Sequence, residues 1–436
     1  MDKELPRVLV PTITEWRDSN GNRTLPEIFS CWDRDKVAQI YTRAPLPDTA
    51  VCDRFLRINE SDVLKSIFKR STSTTKRVYN TKTEECTSQQ SAELEAERKR
   101  YASAKKHHSW FLTLCREAVW FLGKWKTPEL DAFVEEFNPQ MLFCTIFPFF
   151  YAGRIQLYLI KKCKVPVVGY LFDDNYSYKP CGLNPFAYIH RFLLRQNVKK
   201  LVNACDELFV ISPMQKEECD RLFGTHSTIL TRPIDTDTPP EFKKAELPIK
   251  MVYTGNMRLG RLNSLCEIAK AVSEINKDGE KIRFDIYSAD TPGKKERKIL
   301  STGGTHLRGC VPSEEIPRII QEADITVFTE DLGIQNRFTA RLSFSTKLTD
   351  YFTSGRCIFA LAHKDIAPTD YLKREDAAIT VTSYKDIEKT LRRMAENPQI
   401  IEEYGKKAYE CGVRNHSKEK VLGTFREVML SACNKG

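Results

Sequence analysis

Short apolar runs alternate with amphipathic segments through the second half of the chain, from Ile249 onward. The runs have the length of buried strands, and the segments between them have the periodicity of helices. Such alternation predicts an α/β fold, in which helices cover both faces of a parallel sheet and ligands bind at the carboxyl ends of the strands. The predicted strands span 251–254, 282–287, 306–308, 325–328, 357–361 and 378–381, and the predicted helices span 263–276, 313–322, 346–353 and 383–396.

The first half of the chain repeats this pattern less regularly, and a connector separates the halves. A stretch rich in prolines and charges, from 231 to 248, suits an exposed linker, so Asp235 and Asp237 within it indicate solvation rather than a metal motif. With 436 residues, 41% of them hydrophobic, the chain is long enough for two cores. Parallel strands are predicted at 8–11, 140–146, 165–172 and 207–211, with a helix at 185–204. The predicted domains are 1–231 and 249–417, joined by a linker at 232–248. A final helix at 418–436 is predicted to pack back on the first domain.

A polar and then amphipathic insertion is predicted within the first domain, at about 61–126. Its first part, to about 109, has few strand signals and many Lys, Thr, Ser and Glu residues, which favours a mobile segment. It then becomes helical, and Thr127 before Pro128 caps a further helix. The helix presents one apolar face flanked by lysines, which suits either the domain core or an anionic membrane surface. That face comprises Trp110, Phe111, Leu114, Ala118, Phe121, Leu122 and Trp125, and the lysines are Lys105, Lys106, Lys124 and Lys126.

The segment LSFSTKLTDYFTSGRCIFALA, from Leu342 to Ala362, carries the clearest chemistry. Ser343, Ser345 and Thr346 are helix-capping residue types, Lys347 lies in the first turn, and a glycine ends the helix before a buried strand. Unpaired backbone N–H groups and an adjacent ammonium at a helix start favour an anion. The segment therefore predicts a phosphorylated ligand.

A second cation is predicted to meet Lys347. In MVYTGNMRLGRLNSL, Gly255 and Asn256 stand where a strand stops, and Arg261 stands near the start of the next helix. Arg261 and Lys347 would both lie at carboxyl ends of strands in one sheet, where they can converge on a diphosphate. Asp350, one helical turn after Lys347, can accept hydrogen bonds from a ribose. Alone, Arg261 is more often a surface ion pair and Asp350 a solvated residue; together the three favour a nucleotide site.

The second half resembles the carboxyl-terminal domain of GT-B fold glycosyltransferases, in particular family 4 and its capsule and surface polysaccharide relatives. The resemblance rests on VYTGN, Arg261, DIYSAD, LRGCVPSEEIPRIIQEADITVFTED and SFSTKLTDYFTSGRCIFA. It implies two Rossmann-like domains facing across a cleft, with Arg261 and Lys347 on the donor diphosphate and Asp350 on the ribose. The resemblance also implies that the loop from Gly309 through Cys310 to Val311 touches the base. The donor-site prediction comprises Gly255, Asn256, Arg261, Tyr287, Gly309, Val311, Glu330, Ser345, Thr346, Lys347 and Asp350.

The first half resembles the same family in ACDELFVISPM and in SNGNRTLPEIFSCW, which places Gly21 and Asn22 at the acceptor side of the cleft. Two positions depart from the family pattern. Leu342 stands where many members have a glutamate, and Asp173 and Asp174 stand where many have a histidine. One of the two aspartates is predicted to orient or deprotonate the acceptor hydroxyl, with structural capping or divalent-cation binding as alternatives. Retention or inversion stays open, as does the oligomeric state.

Composition and charge bear on the kind of partner and on the cellular location. The net charge of +10 favours an anionic partner, and 14 cysteines without C-x-x-C spacing fit a reducing cytosol. The amino terminus lacks signal-peptide features, and the apolar run 141–152 is too short to span a bilayer, so a cytoplasmic protein, peripheral at the inner face of the membrane, is expected.

The resemblance implies a glycosyltransferase that needs no metal or other cofactor, because GT-B enzymes generally neutralise the leaving diphosphate with side chains and a helix dipole. It moves a sugar from a nucleotide donor to a hydroxyl of a glycan or polyprenyl-linked acceptor in surface polysaccharide biosynthesis. The alternatives are a sugar-nucleotide epimerase of the same fold, a non-catalytic nucleotide-binding scaffold and, with less support from the scattered basic residues, a nucleic-acid-binding protein.

Overall fold

The computed structural model describes residues 4–18, 23–43, 45–82, 110–333, 338 and 341–435, without the side chains of residues 110–113 and 435. Two sheets organise this part of the chain, and we call each sheet with its helices a lobe. In the first lobe the strands are β1 (Val8–Pro11), β2 (Val37–Tyr41), β3 (Arg54–Ile58), β4 (Thr75–Val78), β5 (Met141–Thr145), β6 (Val167–Leu171), β7 (Glu207–Val210) and β8 (Thr228–Ile229). They lie in the order β4-β3-β2-β1-β5-β6-β7-β8, and only the β3–β4 pair is antiparallel among them.

The second lobe contains a fully parallel sheet within the described residues. Its strands are β9 (Ile249–Thr254), β10 (Ile282–Tyr287), β11 (Thr305–Gly309), β12 (Ile325–Thr329), β13 (Cys357–Leu361) and β14 (Ile379–Val381), in the order β11-β10-β9-β12-β13-β14. The α/β fold with two parallel-dominated sheets is confirmed, and every strand predicted in this half begins and ends within two residues of its observed bounds. The domain boundaries themselves stay a prediction.

Helices cover both sheets. In the first lobe they are α1 (Thr24–Phe29), α2 (Glu60–Phe68), α3 (Trp110–Leu122), α4 (Pro128–Phe137), α5 (Phe150–Cys163), α6 (Pro185–Val202) and α7 (Pro213–Phe223). In the second they are α8 (Arg261–Ile275), α9 (Lys294–Ile299), α10 (Ile316–Glu322), α11 (Thr346–Ser354), α12 (Ala367–Arg374), α13 (Ile387–Glu396) and α14 (Gln399–His416), followed by α15 (Lys418–Lys435). As expected for the final helix, α15 buries Val421, Phe425, Met429 and Ala432 against the first sheet.

The region after Ser61 differs from the expected polar insertion. Residues 60–68 form α2 and residues 75–78 form β4, the antiparallel edge strand of the first sheet. Strands β2 and β3 were also missed, because Gln39 and the two arginines of RFLRI interrupt their apolar pattern. Gln39 is nevertheless fully buried: its amide donates to Thr12 Oγ1 at 2.7 Å and to the Thr14 carbonyl at 3.0 Å, which fixes the loop after β1.

The apolar face assigned to α3 is largely exposed. Leu114, Phe121 and Leu122 face solvent, whereas Trp120, which the spacing left off that face, is completely buried and stacks on Tyr151 with ring centroids 4.4 Å apart. Trp125 is buried as well, and the predicted cap of α4 is confirmed by a hydrogen bond from the Leu130 amide to the Thr127 hydroxyl. Lys105 and Lys106 lie outside the described residues. Within the described chain, no helix has the length and apolar character that crossing a bilayer requires.

Candidate functional site

Lys347 lies in the first turn of α11, directly over a tyrosine of β9. Its Nζ atom is 4.4 Å from the centre of the Tyr253 ring and 3.2 Å from the Tyr253 hydroxyl. Tyr253 is completely buried, and its hydroxyl donates to the carbonyl of Asn256. The ring face is electronegative, so it holds the ammonium in place without neutralising its charge. Lys347 has no ion pair among the described residues, which leaves a positioned cation able to accept an anionic ligand.

Gly255 makes room for this ammonium. Its φ is +148°, and a Cβ atom built on it would lie 2.0 Å from Lys347 Nζ and 2.4 Å from Lys347 Cε. Any larger residue would displace the end of the lysine side chain. The sequence placed Gly255 at a strand end; the structure shows that the Lys347 side chain lies directly against it.

Burial makes the protonated form of Lys347 less favourable. The side chain keeps some exposure, but burial of the ammonium lowers its pKa from 10.5 to about 8. The positive charge of Arg261 lowers the pKa further, and the carboxylate of Glu330 partly opposes this. An anionic ligand would reverse the penalty, because an opposite charge favours the protonated form of a lysine.

Arg261 is the first residue of α8 and follows Gly260, which has a φ of +80°. It makes a two-point ion pair with Glu330, with distances of 2.9 Å from Nε to Oε2 and 2.7 Å from Nη2 to Oε1, and Nη1 donates to Asn256 Oδ1 at 2.8 Å. Burial lowers the pKa of Arg261, but Glu330 outweighs this and the net pKa is raised. These contacts use three of the five N–H groups of the guanidinium and fix its plane. Glu330 and Asn256 therefore position the arginine.

The start of α11 supplies backbone donors beside the two cations. Ser345 is the N-cap residue, with extended dihedrals, and makes no side-chain capping hydrogen bond. Thr346 is exposed, and the amide of Leu348 bonds to the Ser345 carbonyl at 3.0 Å. The first N–H groups of a helix have no partner inside it, so an anion beside Lys347 can accept from them.

Three further predicted residues lie at the ends of β10 and β11. Tyr287 and Val311 pack against the same small apolar cluster, and the carbonyl of Tyr287 accepts from the Gly255 amide at 2.9 Å. Gly309 has a φ of +81°, and a Cβ atom built there would meet no atom within 4 Å. The space beside Gly309 therefore adjoins the strand ends that carry Gly255.

Asp350 lies where the two lobes meet. Its Oδ1 accepts from Arg232 Nη1 at 2.8 Å and from Arg23 Nη2 at 3.1 Å. Arg232 also makes a two-point ion pair with Glu27 of α1. Asp350 thus forms ion pairs with two arginines that precede the second lobe. Its role in binding a ribose stays a prediction.

The adjacent aspartates after β6 have different surroundings. Asp174 is buried, and its Oδ2 accepts from Arg341 Nε at 3.0 Å and Nη2 at 2.8 Å, while its Oδ1 accepts from the Ser177 amide at 2.9 Å. Arg341 also pairs with Glu218 of α7. The capping alternative therefore accounts for Asp174, whose two oxygens are already engaged.

Asp173 instead faces the loop before α11, where it accepts a short hydrogen bond from the Ser343 hydroxyl. Burial raises the pKa of Asp173; the Ser343 bond lowers it and the charge of Asp174 raises it, with a net increase. A carboxylate with a raised pKa, bonded to Ser343 two residues before the N-cap of α11, is a candidate for handling the proton of an acceptor. Within the described residues, no group of three or more His, Cys, Asp or Glu side chains is placed to hold a metal ion.

The structure thus brings Arg261, Lys347, Asn256, Gly255 and Glu330 together. The acceptor-side prediction of Gly21 and Asn22 lies outside the described residues. Sequence reasoning missed Tyr253, the pairing of Ser343 with Asp173, and the arginines at positions 23, 232 and 341. Tyr253 belongs to the VYTGN motif and is the last residue but one of β9. This position next to a strand end was the one indication in the sequence that Tyr253 belongs to the site.

Comparison with solved structures identifies the fold. Sucrose-phosphate synthase from Thermosynechococcus elongatus is 10% identical and matches over 98% of this chain and 99% of its own, with a TM-score of 0.62. Anabaena HepE, solved in complex with UDP, is 10% identical over 98% of this chain and 100% of its own, with a TM-score of 0.60. TarM of S. aureus is 13% identical over 72% of this chain, with a TM-score of 0.51, and the match spans only 58% of TarM. No family model and no curated protein matches the chain.

Proposed function

From the premise that this chain has the GT-B fold, we propose that it is a glycosyltransferase that takes a sugar from a nucleotide diphosphate donor. The observation that supports this most is the ammonium of Lys347, which is positioned by Tyr253 and Gly255 and has no ion pair among the described residues. The nearby Arg261 guanidinium has N–H groups left over from its pairing with Glu330 and Asn256. Two cations and a helix start at one sheet edge fit a diphosphate.

The proposed chemistry follows from where charge develops. When the bond between the sugar and the diphosphate breaks, negative charge builds on the leaving diphosphate. Lys347, Arg261 and the amide groups at the start of α11 then interact more strongly with the transition state than with the ground state. Because these groups supply the neutralising charge, we propose that no metal ion is required.

The base, ribose and acceptor are assigned to the surrounding residues. We place the base beside Tyr287, Gly309 and Val311 and the ribose near Asp350. Uridine is the first base to test, because the related HepE structure contains UDP. Asp173 would orient or deprotonate the acceptor hydroxyl, since its raised pKa suits proton transfer. The acceptor is proposed to be a glycan or polyprenyl-linked sugar of surface polysaccharide biosynthesis, reached by a cytoplasmic protein peripheral to the membrane.

A thermal-shift screen of nucleoside diphosphates and their sugar derivatives tests the proposal. A ligand that binds only the folded protein raises its melting temperature, so one base series should give a clear increase. The best nucleotide sugar should then lose its sugar to an acceptor. Conversion of that donor to an isomer without any acceptor would support the epimerase alternative instead, and the absence of any shift would contradict a donor site.

Replacing Gly255 by alanine is expected to impair the site and to lower stability modestly, because alanine rarely adopts the φ of +148° found there. The new methyl group would occupy the position of Lys347 Nζ, and the end of a lysine side chain can move away at little cost. We expect affinity for the nucleoside diphosphate to fall by roughly tenfold or more, because a charge-assisted hydrogen bond is lost. Titration calorimetry measures this. Gly423→Ala is the matched control, since a Cβ atom there would meet nothing within 4 Å; equal losses in both variants would contradict the explanation.

Binding of the diphosphate should also consume a proton near pH 9. With a pKa of about 8, the Lys347 ammonium is mostly neutral there in the free protein, and an anionic ligand favours its protonated form. Affinity should therefore decrease as the pH rises above 8. The folding stability of the free protein should change in the opposite direction. Between about pH 8 and 10 this lysine is protonated in the unfolded chain but largely neutral in the folded one, so its contribution to stability rises with pH. Calorimetry in buffers with different ionisation enthalpies measures the uptake, and Lys347→Met should abolish it.

A further inference from the structure

Helix α6 exposes a row of apolar side chains on the surface of the first lobe. The relative exposure is 101% for Leu183 in the preceding loop, 60% for Ile189, and 51% for both Phe192 and Leu193. The opposite side of the helix is a normal core face, formed by Leu194, Val198, Leu201 and Val202. Isolated apolar residues are common on protein surfaces, but a contiguous apolar face on one helix marks an interaction site. We call Leu183, Ile189, Phe192 and Leu193 the α6 face.

The stretch of sequence that carries the α6 face is basic. Between Glu136 and Asp206 the sequence contains nine Lys and Arg residues and only two acidic residues, Asp173 and Asp174. Both aspartates are engaged inside the protein, by Ser343 and by Arg341 respectively. The exposed basic residues of this stretch are Lys161, Lys164, Lys179, Lys199 and Lys200. This stretch thus combines exposed apolar side chains with exposed lysines.

The α6 face is also held rigidly next to the proposed acceptor side of the cleft. Arg191 of α6 donates from Nη1 to the Asp174 carbonyl at 2.9 Å, directly after Asp173. The Tyr188 hydroxyl donates to the Gly182 carbonyl at 3.1 Å, which holds the loop carrying Leu183 against the helix. These two bonds tie the α6 face to the loop that carries Asp173.

We infer that the α6 face docks the protein on an anionic lipid bilayer. Apolar side chains that enter the headgroup boundary, with lysines beside them, give the two contributions that peripheral binding requires: buried apolar area and attraction to anionic lipid. A protein partner is the poorer match, because the centres of such interfaces are usually depleted of lysine. Docking by α6 would place the loop of Asp173 near the membrane surface; this step rests on the proposed function, in which the acceptor can be lipid-linked.

Sedimentation with vesicles tests this independently of any catalytic activity. Wild-type protein should bind vesicles of phosphatidylcholine mixed with phosphatidylglycerol and bind pure phosphatidylcholine much more weakly. Ile189→Glu combined with Leu193→Glu should lower the partition coefficient by roughly two orders of magnitude, because two apolar side chains no longer enter the lipid. Lys199→Gln combined with Lys200→Gln should lower it by roughly tenfold, and only on anionic vesicles.

Phe68→Glu is the matched control, because Phe68 is 87% exposed on α2 of the same lobe. It should bind vesicles like the wild type. Melting temperatures and the nucleoside diphosphate shift confirm folding, and Ile189→Ser with Leu193→Ser replaces the glutamate pair if that pair does not fold. Absence of vesicle binding by the wild type, or equal binding by the α6 and control variants, would overturn the inference. Conversion of a dimer to a monomer by the α6 variants without a loss of vesicle binding would show instead that the face joins two copies.

Discussion

Replacing Lys347 by alanine is expected to lower the rate of nucleoside diphosphate release from the donor by roughly two to three orders of magnitude, as removal of a preorganised charge stabiliser does. The ammonium lies over the Tyr253 ring with no carboxylate partner among the described residues, so the developing negative charge would lose a cation that needs no rearrangement. Steady-state rates with the best nucleotide sugar from the thermal-shift screen measure the effect. The loss should be larger in kcat than in KM, because the interaction strengthens in the transition state.

Lys270→Ala is the control for this experiment. Lys270 belongs to α8 of the same lobe, is 54% exposed and pairs with Glu267 one turn away. Its replacement should leave the rate within about twofold of the wild type, since surface ion pairs contribute little. Near-normal rates in Lys347→Ala would contradict the assignment of this lysine, and an equal loss in the control would indicate a general disturbance of the lobe.

Replacing Arg341 by alanine is expected to destabilise the protein by about 3–5 kcal/mol. The Arg341 and Asp174 side chains are each only 1% exposed, and Arg341 joins Asp174 and Glu218 of the first lobe to the loop before α11. Removing the guanidinium leaves a buried carboxylate without its countercharge, and desolvation then dominates. Urea unfolding, followed by intrinsic fluorescence, measures the change in free energy.

Arg374 provides the matched comparison, because it also connects the lobes, through Glu217 of α7, but is 48% exposed. Arg374→Ala should cost no more than about 1 kcal/mol. Adding Asp174→Asn to Arg341→Ala should recover part of the lost stability, since the unpaired charge is removed. If Arg341→Ala and Arg374→Ala were equally stable, the buried triad would not hold the lobes together.

Local patterns in the sequence were sufficient for the strands of the second lobe and for the positions of the two cations. Strands of the second lobe are continuous apolar runs, and a helix start with Lys347 or Arg261 is visible in a few residues. The partners of these cations were harder to foresee. Tyr253 and Lys347 are 94 positions apart, and the pairing of Arg23 with Asp350 spans 327 positions. Such contacts depend on how the strands are ordered and how the lobes meet, which no local periodicity records.

The first lobe shows where local patterns fail. In α3, Trp120 and Phe121 are adjacent in sequence and point to opposite environments, so an apolar face drawn through Phe121 excluded the residue that is buried. Both choices satisfy helical spacing, and only the packing of Trp120 on Tyr151 decides between them. In β2, a buried glutamine interrupts the apolar run because its amide bonds fix a neighbouring loop. Polar residues with structural partners therefore hide strands from a hydrophobicity pattern.

One comparison tests the central claim most directly: the affinities for a nucleoside diphosphate and for the corresponding monophosphate, measured in the wild type and in Lys347→Ala. The account requires that Lys347 and Arg261 together bind the diphosphate. Calorimetry of the wild type should therefore show the diphosphate binding roughly ten to a hundred times more tightly than the monophosphate, the value of one charge-assisted contact. In Lys347→Ala most of that difference should vanish while monophosphate binding is retained. An unchanged preference for the diphosphate in the variant would contradict the account.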